Sequence, residues 1–93
     1  MAAVLISYDL KSPGQDYEVL HDAIKAYGTW AHVLESTWIV VRSSATAASV
    51  YADLKPLLDS NDHIFCVEID YKARQGWLPK NTWDWIRKNV PTV

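Results

Sequence analysis

Thr29-Trp30-Ala31-His32-Val33-Leu34-Glu35-Ser36-Thr37-Trp38-Ile39-Val40-Val41-Arg42 is the stretch on which the fold turns. Thr29 to Leu34 and Trp38 to Arg42 are short segments rich in Trp, Val, Ile and Thr, side chains that suit a pleated, half-buried surface. Glu35-Ser36-Thr37 between them has the length of a tight hairpin. The stretch is therefore predicted to form two consecutive antiparallel strands in the middle of the chain.

Working outward, Tyr17, Leu20, Ile24 and Tyr27 recur at spacings of three and four, which predicts a helix with one apolar face, capped by Asp16 and stopped by Gly28. Before it, Val4 to Tyr8 is an apolar strand closed by Asp9 and the turn cluster Lys11-Ser12-Pro13-Gly14. After the hairpin, Val50, Leu54, Leu57 and Leu58 mark a second helix from about Thr46 to Asp59, with Pro56 expected to kink or shorten its last turn. Ser60-Asn61-Asp62 breaks that helix, and His63 to Ile69 reads as a closing strand.

The order β, α, β, β, α, β is the split βαβ signature. It predicts an α+β fold, a ferredoxin-like βαββαβ sandwich over residues 1–70, followed by a short C-terminal extension containing a helix over 71–93. Pairing the first and last strands centrally, with both helices on one face, leaves the opposite face of the sheet bare. A bare face bearing Trp and aliphatic side chains is a large apolar patch, so the extension or a partner subunit must cover it, and a homodimer is the simpler expectation. Within the extension, Gly76-Trp77-Leu78-Pro79 reads as a turn and Asn81 or Thr82 as the cap of a short helix through Lys88.

Composition bounds the function classes. The 93 residues hold one core, and 49% hydrophobic residues with five Trp and five Tyr exclude a disordered-type chain. Nine Lys and Arg against eleven Asp and Glu, a net charge of −2, argue against tight nonspecific nucleic-acid binding while leaving a local basic patch open. The single Cys66 excludes an intrachain disulfide and a cysteine-rich zinc site. Met1 to Ser7 runs into the first strand without a basic, apolar leader or a membrane-length segment, so no membrane association and a cytoplasmic location are expected. Gly14, Gly28 and Gly76 are isolated, and no phosphate loop or dinucleotide fingerprint is formed.

The first strand ending in Tyr8-Asp9, the Tyr27-Gly28 helix stop, the Leu34-Glu35-Ser36-Thr37-Trp38 hairpin and the closing Phe65-Cys66-Val67-Glu68-Ile69 strand together resemble CRISPR-associated protein two and its relatives, including VapD-like toxins and SinR-like proteins. The resemblance covers roughly residues 3–70. Gly76-Trp77-Leu78-Pro79 and Trp83-Asp84-Trp85 are similar to the SinR-like branch. The resemblance implies a homodimer of packed sheets. It also implies that Asp9, ending the first strand, faces its symmetry mate and holds a divalent cation, Mg²⁺, for phosphodiester cleavage of RNA or DNA. Two further readings stay open: a noncatalytic dimeric scaffold binding a protein partner in mobile-element defence or counter-defence, and a toxin-like ribonuclease. The mild acidity and a first helix whose only cation is Lys25 depart from the family pattern.

Read from the residues alone, Asp9 lies where an apolar strand enters a polar loop. Two copies on a twofold axis would offer paired carboxylates to a metal, whereas a lone copy would cap its own loop. Ser7 points to the same face as Asp9 and is the candidate for orienting water or phosphate, while Tyr8 points away. His32 and His63 would serve as a general base only if they faced Asp9, and His21, His32 and His63 lack metal-ligand spacing. Trp77, Trp83 and Trp85 with Lys80, Arg87 and Lys88 suit either base stacking or packing, with Trp83 and Ile86 favouring packing across a dimer. Arg42, Lys72 and Arg74 form a small basic group that reads as a solvated face.

Overall fold

A computed structural model describes residues 2–11, 17–70 and 74–90. The elements are β1 (Ala2–Asp9), α1 (Tyr17–Lys25), β2 (Thr29–Leu34), β3 (Thr37–Arg42), α2 (Ala47–Leu54), a 3-10 turn (Lys55–Leu57), β4 (His63–Ile69) and α3 (Lys80–Asn89). The four strands form one antiparallel sheet in the order β2-β3-β1-β4, making the chain an α+β protein with an open sheet and, among the described residues, three α-helices.

β1 does pair with β4, but the expectation that both lie centrally is corrected: β1 and β3 are the inner strands and β4 is an edge. The burial patterns agree with that order. Four consecutive residues of β3, Trp38 to Val41, are buried, as expected of a strand covered on both faces, whereas no residue of β4 is fully buried.

Strand alternation divides the apolar side chains between two cores. Val4, Ile6 and Tyr8 of β1 with Trp38 and Val40 of β3 meet Leu20 and Ile24 of α1 and Val50 and Leu54 of α2. On the other face Ala3, Ile39 and Val41 meet Ile86 and Val90, with Leu78, Trp83 and Trp85 packed around them. The extension thus covers its own sheet, and Trp83 and Ile86, expected to pack across a dimer, pack instead against their own chain.

Local chemistry sets the element ends. α1 closes through Tyr27 N–H to the Ile24 carbonyl at 3.1 Å and Gly28 N–H to the Lys25 carbonyl at 3.0 Å. Gly28 takes φ +95°, a left-handed conformation that a side chain would strain. α2 opens with a reciprocal capping box between Thr46 and Ser49, and Pro56 shortens it as expected, into the 3-10 turn. α3 starts earlier than expected: Pro79, not Asn81 or Thr82, is the N-cap, its carbonyl accepting Thr82 N–H at 3.0 Å and Trp83 N–H at 3.2 Å. Asp16 and the Ser12 to Gly14 turn lie outside the described residues.

Because α3 holds the second core, Ile86→Ala should lower unfolding free energy by about 2–4 kcal/mol. Urea denaturation of the variant against the parent measures this.

Candidate functional site

The end of β1 meets the start of β4, and their register decides which side chains share a face. Asp9 pairs with His63 and Ser7 with Phe65, so all four point to the face opposite α1 and α2, while Tyr8 turns into the first core at 5% exposure. Ser7, Asp9, His63 and Phe65, together with Tyr8 and Ile64, line an open hollow of about 270 Å³. The Asp9 side chain is 71% exposed, and its Oδ2 lies 3.8 Å from Lys11 Nζ, a solvent-screened ion pair that leaves the carboxylate accessible. The Ser7 hydroxyl is 3.2 Å from the Thr37 hydroxyl, which anchors it beside the hollow.

The loop leaving Asp9 is held by a different acid. Asp62, buried at 7% exposure, accepts Lys11 N–H at 2.7 Å through Oδ1 and Asp59 N–H at 2.8 Å through Oδ2. Over the described part of this loop the backbone donor is satisfied by Asp62, so the Asp9 carboxylate is not occupied as a cap for Lys11. From the sequence, Asp62 reads only as part of the Ser60-Asn61-Asp62 helix breaker. Its position directly before a strand start, in a Ser-Asn-Asp turn, is the signal that a carboxylate could bind neighbouring backbone there.

One copy offers Asp9 carboxylate, Ser7 hydroxyl and His63 imidazole. Among the described residues no group of three or more His, Cys, Asp and Glu side chains converges as a metal site. Compared with protein-family models and with curated proteins, the chain matches none.

The remaining candidates separate cleanly. His32 lies on the α1 side of the sheet, stacked on Trp38 at 3.9 Å between ring centres, with Nε2 2.9 Å from the Glu35 carbonyl, so it cannot face Asp9. His63 does. Trp83 and Trp85 pack against the sheet, and Trp77 is fully exposed. Lys80 and Arg87 both bind Asp84, at 2.7 and 2.9 Å, and these bonds hold its carboxyl below the usual range, so two of the extension's cations are engaged along their own helix. Arg42 donates to the Ala26 carbonyl at 3.2 Å and lies over the Tyr27 ring, whose hydroxyl donates to Asp53. Burial and then that bond push the Tyr27 hydroxyl well above its ordinary pKa. Lys72 lies outside the described residues. No helix among them is long and apolar enough to cross a membrane.

A relay that runs from the core toward the surface joins α1 to the sheet. Trp38 Nε1–H donates to the Tyr8 hydroxyl at 3.1 Å, and that hydroxyl lies 3.1 Å from His21 Nε2. An indole only donates, so the Tyr8 hydroxyl accepts from Trp38 and keeps a proton that it can give to His21 Nε2 when the neutral imidazole leaves that nitrogen unprotonated. Burial first, and then His32 and Lys25, pull the His21 pKa below 6.5. With its folded pKa depressed, the unfolded chain binds the His21 proton more tightly. The stability contributed by the neutral ring is therefore complete above the unfolded value and is lost as pH falls below about 6.5. Thermal melts between pH 7.5 and 5.5 (roughly one pKa unit either side of that value) should show a smaller loss of Tm for His21→Gln, which accepts the Tyr8 proton without titrating, than for the parent.

Proposed function

We propose that the protein is a homodimer of ferredoxin-like subunits that cleaves phosphodiester bonds in RNA or DNA, using a symmetric pair of Asp9 carboxylates to hold Mg²⁺. The observation that carries this reading is the exposed Asp9 carboxylate at the end of an inner strand, with Ser7 and His63 on the same face and the 64% exposed ring of Phe65 adjoining them. Packing a second copy against the Phe65 side of the sheet would bury that ring and bring two Asp9 side chains toward the twofold axis. The resemblance of the Tyr8-Asp9 strand end and the central hairpin to CRISPR-associated protein two supports the same assignment.

Within such a dimer the residues divide the work. The two Asp9 carboxylates would hold the cation, with Lys11 swinging from its weak ion pair to a phosphate oxygen. The Ser7 hydroxyl would orient water or phosphate, and His63 would accept a proton from the attacking water. When bound, Mg²⁺ supplies stabilisation of the developing phosphate charge and acidifies water. The second reading is a dimeric scaffold that binds a protein partner without catalysis, through the same face with its 64% exposed Phe65 ring.

Light scattering followed by a nuclease assay with Mg²⁺ or Mn²⁺ separates the two. Asp9→Asn keeps the shape and removes the charge, so it should remain dimeric and lose at least ~100-fold in cleavage rate. Equal cleavage by parent and variant rejects the Asp9 site. An inactive parent dimer favours the scaffold, and a monomer removes the paired-carboxylate mechanism.

A further inference from the structure

The extension crosses the sheet and leaves a groove of about 470 Å³ between them, separate from the Asp9 hollow. Its walls are aliphatic, with Leu5, Val33, Ile39, Ile69, Leu78 and Ile86 among them, and Arg74 and the fully exposed Trp77 also border it. Arg74 Nη1 is shut off from solvent and, among the described residues, meets no acceptor. A guanidinium stays charged at any ordinary pH and carries donors in a fixed fork, so leaving one of its nitrogens buried without an acceptor costs free energy that an incoming anion would recover.

We infer that this groove binds an apolar organic monocarboxylate, the acid group taken by Arg74 and the hydrocarbon tail laid along the aliphatic wall. The planar fork matches a carboxylate with two parallel hydrogen bonds. The volume falls in the range of small-molecule sites, and a largely apolar lining with one converging charge is their usual make-up. Arg74 as a whole is only half-buried, so its long side chain can pivot to meet the ligand.

The test is calorimetric titration of the full chain with octanoate and, as the uncharged counterpart, 1-octanol. One-to-one saturable binding of octanoate is expected, weakened about tenfold or more for octanol and for Arg74→Gln, and by less for Arg74→Lys. Absence of saturable binding at millimolar octanoate, or equal affinity in parent and Arg74→Gln, overturns the inference. So does a dimer, seen by light scattering, that octanoate neither enters nor dissociates, because a second copy would then fill the groove. Asp9→Asn should bind octanoate as the parent does, whatever the nuclease assay returns.

Discussion

The indole of Trp38 holds the centre of the molecule. It is 1% exposed on an inner strand, packs between Trp30, His32 and His21, and spends its one polar hydrogen on the Tyr8 hydroxyl. Burying so large a ring is favourable only if its N–H finds an acceptor, and Tyr8 supplies one from the neighbouring strand while reaching His21 on α1. The relay fixes β1 against β3 and sets α1 over both. Everything on the opposite face follows, because a strand whose even positions are locked inward must present Ser7 and Asp9 outward.

Much of this is legible in the sequence because periodicity is a strong signal in short, well-bounded segments. β2 and β4 fall within the expected limits, and the stop at Gly28 rests on backbone chemistry that few other residues share. Strand position within the sheet is harder to read. Val67 and Ile69 look like fully buried residues in an apolar run, yet they are only half-buried, because among the described residues the run belongs to an edge strand. The start of α3 is obscured because a proline cap leaves no side-chain signature, whereas Asn and Thr advertise one they do not use here.

The candidate site is legible to a different degree. Alternation alone places Ser7 beside Asp9 and sends Tyr8 to the core, and the register pairs His63 with Asp9 once β4 is known to neighbour β1. Asp62 and Arg74 are not legible, because the role of each depends on contacts between segments far apart in the chain. Asp62 meets Lys11, 51 residues away, and Arg74 is set against aliphatics from several strands. Charged residues near loops usually signal solvation, and only the folded arrangement distinguishes these two.

The strand order also governs how the chain meets water while it is being made. β1 is synthesised first but needs β3 on one side and β4 on the other, so its second edge stays open until His63–Ile69 leaves the ribosome. Through that interval Val4, Ile6 and their neighbours form an unpaired apolar border able to recruit strands from other nascent chains. The distant pairing of β1 with β4 slows closure as well, because a long loop must be ordered before its contacts repay the entropy. Until β4 pairs, that border is therefore the part of the sheet most open to strand pairing with another chain.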